Sequence, residues 1–505
     1  LVPPDEETFG SPRNDWPLGR GFDRYYGYIN AVTDWFVPEL VYDNHRIPPP
    51  RTPEQGYHLN ADLADRAIEF IADLRAAAPR RPFFMYYCPS AGHEAHQVPL
   101  EWADEYRGKF DGGWDRCREE SFARQREMGI VPESTKLTGR PDTVPAWEEL
   151  SADERRVLTR QMEVYAGYIT HADHHIGRIV DFLDELGDLD NTLFLVASDT
   201  GSSRNGGRYG GNTSHHDGMS PAEILALNLS MLDEWGGPRS HCHYAAGWAW
   251  VGNTPFREGF GALHEGGVAD PLVVHWPAGI RARGEIRTPY VHITDIAPTV
   301  TEALGLPPSE EVDGVRQSPI HGVSFAHTFD DAEALTDKHV QYYECLGSRA
   351  IWKDGWKAVA EQPRNVDLTS EVLDRQEWKL YLLSEDFSES TDLADRYPEK
   401  LRELIDLWWV EAGKYGVLPL DNRGYSKFST KLHYGRTERG EAPRNRFVYY
   451  PHAAPVPSPH APDVHRTSHQ ITVEIEVPKG AVSGVLVAQG DGHYGGYSLH
   501  VKNGR

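Results

Sequence analysis

Two patterns of apolar residues alternate along the first two thirds of the chain. Apolar side chains recur near helical spacing over residues 57–78, which predicts a helix, and over residues 153–186, which predicts one or two helices. Short unbroken apolar runs lie at 82–88, 193–198 and 271–276, and such runs are typical of strands buried on both faces. The alternation predicts an α/β fold, with a mostly parallel sheet and helices on both of its faces.

The pattern changes in the last third of the chain. Short apolar runs at 340–345, 350–352, 356–359 and 379–383 predict antiparallel strands. Residues 398–415 then predict an amphipathic helix, because leucines recur there at helical spacing. These elements indicate a smaller α+β domain.

Four regions follow from these patterns. Residues 1–330 form the α/β unit, and residues 331–420 form the smaller C-terminal α+β domain. The stretch 421–468, rich in Pro, His and Arg, predicts a linker. Residues 469–505 predict the start of a truncated β-rich domain, because apolar residues alternate there with period two. Since the chain opens on a leucine rather than a methionine, we expect a fragment that lacks its N-terminal part.

Composition limits the possible partners. The formal net charge of −25 argues against nucleic acid or an anionic membrane surface, because both are bound through basic patches. No stretch reaches the length of a transmembrane helix, and no apolar signal segment opens the chain. The four cysteines lie far apart and match no metal spacing, which favours a reducing compartment. We therefore expect a cytoplasmic location and leave the oligomeric state open.

The apolar run 193–198 leads directly into Asp199, Thr200 and Gly201. A buried strand that ends in this way presents its polar residues at the edge of the sheet, where open α/β folds bind ligands. A carboxylate beside a hydroxyl offers oxygen ligands to a hard cation. The alternative is that Asp199 only caps a turn, since Asp, Gly and Ser are ordinary turn residues.

Histidines are the other candidates for chemistry. His93 follows a predicted strand through a Pro-Ser-Ala-Gly turn and projects at a sheet edge, where a hydrogen-bonded surface histidine is the commoner finding. His171 and His175 are four residues apart on a helix and, with His174, suggest zinc. Because no HExxH pattern is present, a solvated helix face is the better interpretation. We interpret the histidines of residues 241–243 as solvated for the same reason.

A series of short motifs resembles the type I sulfatases, and most closely the long bacterial arylsulfatases. The motifs follow one another in the family order over nearly the whole chain, at 21–27, the strand ending at His93 with 96–99, 165–177, 196–199, 253–256, 264–271, 275–279 and 294–299. Each motif is short, but the ordered series is specific.

The resemblance implies an alkaline-phosphatase-like fold with a smaller C-terminal domain. It also implies hydrolysis of sulfate esters by a cysteine-derived formylglycine beside a calcium ion. The hydrated aldehyde of that residue offers one oxygen to attack sulfur and a second hydroxyl whose deprotonation expels the sulfate. On the family pattern, His93 is the catalytic histidine that contacts the sulfate or the leaving group. Asp199 and Thr200 occupy two calcium-ligand positions.

The sequence departs from the family pattern at several points. The Cys-x-Pro-Ser-Arg nucleophile motif and the early paired aspartates are absent from the 505 residues. We expect them upstream of Leu1, and we expect no sulfatase turnover from this chain. Thr200 replaces a family asparagine, and Phe260 replaces a lysine that faces the sulfate. Arg257 is the nearby residue that we consider as a substitute for this lysine.

We therefore predict that the full-length parent hydrolyses sulfate monoesters, aryl sulfates in particular. One alternative is a phosphoester or phosphonate-ester hydrolase, because the resemblance implies a fold and a metal that such enzymes share. The other alternative is a sulfatase-like protein that binds its ligand without catalysis. Thr200 and Phe260 favour this second alternative, because both weaken the family's pattern of ligands.

Overall fold

The structure is a computed structural model. It describes residues 2, 9–29, 33–211, 218–307, 309–312, 314–362, 372–373, 375–422, 445–451, 456, 461–462, 464, 468–477, 482–491 and 495–504. Most of the linker predicted at 421–468 lies outside these residues.

Nine α-helices form within the described residues: α1 Leu59–Ala77, α2 Leu100–Asp104, α3 Gly113–Glu127, α4 Ala152–Glu185, α5 Pro221–Ser230, α6 Ala246–Gly252, α7 Glu265–Val268, α8 Ile296–Ala303 and α9 Pro398–Lys414. Short 3₁₀ helices lie at Pro17–Arg20, Pro53–Gln55, Trp147–Glu149, Leu189–Asn191, Leu232–Glu234, Ile293–Asp295 and Ala326–Thr328. The helices predicted at 57–78, 153–186 and 398–415 are confirmed as α1, α4 and α9.

The longest helix, α4, has clear local reasons for its ends. Its start is a capping box, in which the Ser151 hydroxyl accepts a hydrogen bond from the Glu154 amide (3.2 Å) and the Glu154 carboxylate accepts one from the Ser151 amide (2.8 Å). Its end precedes Gly187, which takes a positive φ of 71° that favours glycine. The buried stripe of α4 packs on α1, where Ile179 and Leu183 contact the small side chains of that helix.

The strands are short: β1 Tyr26–Gly27, β2 Leu40–Tyr42, β3 His45–Ile47, β4 Phe194–Ala197, β5 Leu272–His275, β6 Glu311–Val312, β7 Val315–Arg316, β8 Val340–Cys345, β9 Ser348–Lys353, β10 Trp356–Ala360, β11 Lys379–Leu382, β12 Gly484–Asp491 and β13 Gly495–Val501. They form sheets β1-β2-β3, β11-β10-β9-β8, β4-β5, β6-β7 and β12-β13. The period-two segment 471–477 is not a strand.

No parallel sheet is resolved among the described residues, where every strand pairing is antiparallel, so the expected mostly parallel sheet stays a prediction. The strands predicted at 193–198 and 271–276 are confirmed as β4 and β5, but they run antiparallel to each other. The segment 82–88 joins no ladder. An apolar run indicates that a segment is buried, but the direction of pairing depends on which strand lies beside it.

The β4–β5 pair is only partly covered by helices. Phe194 packs with Phe83 against the contact of α1 and α4. Val196 follows Phe194 by two residues and Val273 lies opposite Val196, so both share the face of Phe194, yet they are 40% and 58% exposed. The two strands are therefore partly buried, whereas the unbroken apolar runs predicted burial on both faces.

The strands and the helix that were predicted in the C-terminal region are present, and its outline as a separate domain stays a prediction. The four-stranded sheet β11-β10-β9-β8 is covered on one face by α9, whose Leu404 and Trp408 pack against Ile351 and Leu380. Leu263 of the preceding unit packs against the sheet as well. The two units therefore share a small apolar contact beside α7. None of the described helices is both long and apolar enough to cross a membrane.

Candidate functional site

The antiparallel register of β4 and β5 places two aspartates at one edge of the pair. Ala197, the last residue of β4, is opposite Leu272, the first residue of β5. The Ser198 amide donates a hydrogen bond to the Pro271 carbonyl (3.3 Å), which extends the contact by one residue. Asp199, which is exposed, therefore lies beside the residues that lead into β5.

Asp270 is the residue that the sequence interpretation missed. Burial, together with the charges of Asp199 and Glu265, raises the pKa of Asp270 to about 6. A parallel pairing would have put Asp270, before its strand, and Asp199, after its strand, at opposite edges of the sheet. The antiparallel ladder instead brings the carboxylates of Asp199 and Asp270 to the same edge, where their negative charges favour the binding of a cation or a proton.

The loop that carries Asp199 rests on α7. The Thr200 hydroxyl donates a hydrogen bond to the Gly267 carbonyl (3.4 Å). At Gly201 a Cβ atom would lie 1.8 Å from the Gly266 carbonyl oxygen, so only glycine allows this approach. The Asn253 side chain completes the support, because it accepts from the Ser202 amide (2.7 Å) and donates to the Ser202 carbonyl (3.1 Å).

These residues alone offer too few ligands for a calcium ion. Asp199, Thr200 and Asp270 offer oxygens at this edge, whereas calcium takes six to eight oxygen ligands. Within the described ranges no group of three or more His, Cys, Asp or Glu side chains is placed to hold a metal ion. The predicted ligand roles of Asp199 and Thr200 stay predictions.

His93 lies on an exposed turn outside the strands. Its Nδ1 is 2.6 Å from the Glu94 carbonyl oxygen, so Nδ1 carries the proton in the neutral ring and donates it. The Nε2 atom is then the group left for a ligand. No hydrogen bond or ion pair among the described residues joins His93 to Asp199. Its catalytic role stays a prediction.

Behind His93 lies a buried pair of histidines, His96 and His243, whose rings are 4.9 Å apart. Burial lowers the pKa of His96 well below its usual value, and the charge of His243 acts in the same direction. The His243 Nδ1 donates to the Tyr244 carbonyl (2.8 Å), and its Nε2 is 3.5 Å from a Glu94 carboxylate oxygen.

The prediction of a solvated loop at 241–243 is therefore wrong for Cys242 and His243, which are both buried. The reason is long-range pairing with the segment after His93. The His96 amide donates to the Cys242 carbonyl (2.8 Å), and the Cys242 thiol donates to the His96 carbonyl (2.8 Å). Polar sequence composition did not reveal this pairing.

The solvated helix face predicted for α4 is also wrong for two of its three histidines. His171 and His175 are buried, and only His174 is exposed. His171 contacts His58 at the start of α1, with ring centroids 4.5 Å apart, and its Nε2 is 3.1 Å from the His175 Nε2. Because α1 covers this face, the histidines form a buried cluster rather than a zinc site.

Phe260 and Arg257 do not reproduce the positive charge that the family pattern places here. Phe260 is 42% exposed, and its amide donates to the Ser202 carbonyl (3.2 Å). The Arg257 guanidinium donates instead to the Glu389 carbonyl (2.5 Å), so it faces the C-terminal unit. The substitution that we considered for the lysine is not supported by this geometry.

Comparison with known proteins supports the resemblance to the sulfatases. Residues 5–306 match the Sulfatase family model. An uncharacterized sulfatase of Schizosaccharomyces pombe is 28% identical over 387 residues, which are 76% of this chain and 66% of the relative. An arylsulfatase of Klebsiella aerogenes is 26% identical over 323 residues, which are 61% of this chain and 66% of the relative. The aligned part thus spans slightly less than two thirds of either relative.

Among solved structures, the crystal structure of Ps i-CgsB is 17% identical and has a TM-score of 0.49, with 85% of this chain and 75% of that chain covered. The family model covers well over half of the chain, so the chain belongs to the sulfatase family. Membership implies the alkaline-phosphatase-like sulfatase fold and the class of sulfuric ester hydrolases, which typically use a metal ion. The relation to the arylsulfatase is a distant homology.

Proposed function

We propose that this chain is part of a hydrolase of sulfate monoesters, with aryl sulfates as the substrate class, that depends on formylglycine and calcium. The observation that carries the proposal is the Asp199 loop on α7, with Asp270 beside it, in a chain of the sulfatase family. Two carboxylates at one edge attract the cation that neutralises a sulfate oxygen when it is bound.

The residues of this chain contribute binding and proton transfer in this proposal. The anionic edge at Asp199 and Asp270 binds the cation, and Thr200 adds a hydroxyl oxygen. His93 presents its Nε2 on an exposed turn, from which a protonated ring donates a proton to the departing alcohol or phenol. Formylglycine is not among the 505 residues, because the sequence holds no Cys-x-Pro-Ser-Arg motif.

To test the proposal, the coding sequence on both sides of these 505 residues is determined, and the protein that it encodes is assayed for ester hydrolysis. We expect a product with the Cys-x-Pro-Ser-Arg motif to hydrolyse a chromogenic aryl sulfate, with the rate lost after calcium chelation and restored by added calcium. The 505-residue chain is the matched control and is expected to be inactive. Preference for an aryl phosphate or a phosphonate ester would instead identify the alternative hydrolase of the same superfamily.

A non-catalytic sulfatase-like binding protein is the second candidate, and the Phe260 geometry favours it. An exposed aromatic ring stands where the family pattern has a lysine, and Arg257 is bound to the C-terminal unit. In the same product we expect Phe260→Lys to raise the rate with the aryl sulfate if catalysis is native but weakened. Binding of the aryl sulfate without turnover in both forms would support the binding protein.

A further inference from the structure

A buried ion network lies where the C-terminal sheet meets the α/β unit. Lys357, in the middle of β10, is fully buried, and its Nζ bonds to a Glu265 carboxylate oxygen of α7. The same Nζ is 3.3 Å from a carboxylate oxygen of Glu389, which is also buried. A buried cation between two carboxylates is tolerated only where its partners are fixed, because removal of one partner leaves an unpaired charge.

Glu389 binds the start of α7 directly. Its second carboxylate oxygen accepts hydrogen bonds from the Glu265 amide (2.9 Å) and from His264 Nδ1 (2.9 Å). The Glu389 backbone has a φ of 53°, in the left-handed region that a non-glycine residue rarely adopts. Such a conformation persists where the surroundings hold it, and here both the side chain and the carbonyl of Glu389 are engaged.

Lys357 and Glu389 keep their charges in this setting, whereas burial and the charge of Glu389 raise the pKa of Glu265. Burial works against the ammonium of Lys357, but the nearby charges of Glu265 and Glu389 raise its pKa. Burial likewise works against the Glu389 carboxylate, yet the charge of Lys357 and the hydrogen bond from His264 lower its pKa. The bond from Lys357 to Glu265 and the hydrogen bonds from His264 and Glu265 to Glu389 therefore connect the C-terminal unit to α7.

The same α7 supports the Asp199 loop from its other side. The Gly267 carbonyl accepts from Thr200, and the Gly266 carbonyl lies against Gly201 with no room for a Cβ atom. A shift of α7 therefore moves or releases the loop. Lys357 does not contact the loop itself, so any influence on Asp199 passes through α7.

We propose that Lys357 and Glu389 of the C-terminal unit are positioning residues, which hold α7 and thereby fix the Asp199 loop of the sulfate-ester site. The inference rests on the proposed function only in that Asp199 belongs to such a site. The C-terminal unit then contributes to the site by holding α7.

The experiment measures hydrogen–deuterium exchange of the 505-residue chain and needs no turnover. In Lys357→Met we expect amides of the segment 199–203, among them Ser202, to exchange about tenfold faster than in the unsubstituted chain. Glu389→Gln keeps one acceptor for the α7 amide and is expected to give a smaller increase, about threefold. The control is Lys338→Met, which breaks another buried pair, between Lys338 and Asp295 (2.8 Å).

Unchanged exchange of 199–203 in folded Lys357→Met would overturn the proposal, and so would an equal increase in Lys338→Met. If Lys357→Met fails to fold, Glu389→Gln decides alone. Failure of both variants to fold would also contradict the proposal, because the pair would then support the whole fold rather than the loop. Faster exchange in these variants, with no sulfatase activity in the longer product that carries the Cys-x-Pro-Ser-Arg motif, would count against the proposed function and leave this inference standing.

Discussion

Acidification from pH 7 to pH 5 is expected to weaken the packing of α1 on α4, because three buried histidines at this contact resist protonation. Burial lowers the pKa of His58 to about 4, of His171 to about 2 and of His175 to about 4. The charges of the neighbouring histidines add to the effect for all three, and Arg178 adds to it for His175.

The hydrogen bonds explain why the cluster has no place for a further proton. Arg178 donates to His175 Nδ1 (3.1 Å), so neutral His175 carries its proton on Nε2 and donates it to His171 Nε2 (3.1 Å). His171 then carries its proton on Nδ1, which faces the Asn60 amide nitrogen at 3.5 Å. The Asn60 oxygen already accepts from the Ser90 amide and hydroxyl, so the amide cannot turn to accept.

The charged groups around the three histidines do not make their protonation easier. The carboxylate of Asp65 on α1 raises the pKa of His175, but it is paired with Arg178 (2.5 Å), whose charge acts in the opposite direction. His174 on the exposed side of α4 lowers the pKa of His171 and His175. A second proton on any of these rings would therefore meet a donor or a positive charge.

The direction and the size of the pH effect on folding stability follow from the linkage between proton binding and folding. Histidines in the unfolded chain titrate near pH 6.5, so below that pH the unfolded state binds more protons and folding stability falls. Stability from this cluster is complete above about pH 6.5 and is lost as the pH falls toward the lowered pKa values. One such histidine costs about 1.4 kcal/mol per pH unit, or about 2 kcal/mol at pH 5. The three are coupled, so their costs do not simply add.

Urea unfolding followed by far-ultraviolet circular dichroism at pH 7 and pH 5 measures the effect. We expect His171→Gln, which is neutral at both pH values, to reduce the loss of unfolding free energy between them by about 2 kcal/mol. His174→Gln, on the same helix but exposed, is the matched control and keeps the full loss. An identical pH dependence in the unsubstituted chain and His171→Gln would refute the reasoning.

Two further predictions concern tight packing. Gly201→Ala is expected to destabilise the chain by about 2 kcal/mol or more and to lower its melting temperature, because the Cβ atom meets the Gly266 carbonyl; Gly139→Ala, which meets nothing within 4 Å, is the control and should melt unchanged. Arg118→Met is expected to cost about 3 kcal/mol in urea unfolding, because buried Arg118 donates to the carbonyls of Pro255 (3.0 Å) and Phe256 (2.7 Å). Exposed Arg116→Met should be neutral, and equal losses in both arginine variants would contradict the argument.

Helices were predictable from the sequence because their signals are local. Periodicity alone placed α4 within one residue of its observed ends, and the capping box at Ser151 and Glu154 explains where the helix begins. Strand positions were predictable for the same reason, as β4 and β5 show. Their pairing was not, because an apolar run carries no information on the direction of its neighbour.

The residues of the candidate site fall into the same two groups: those that a local signal reveals and those that only the folded structure brings together. Asp199 was found because it directly follows a strand. Asp270 was missed because its nearness to Asp199 depends on the antiparallel register of β4 and β5. Lys357 and Glu389 were missed because they lie in a different unit, and no local pattern marks a residue that acts through a distant helix.

The sequence by itself determined the family, the main helices and strands, and the position of Asp199. Tertiary structure decided that His171 and His175 are buried, that Asp270 lies at the Asp199 edge, and that α7 is held by the C-terminal sheet. The physical reason is that periodicity and capping act over one or two turns of chain. Burial, strand pairing and ion pairing depend on segments that are far apart in sequence and meet only in the folded protein.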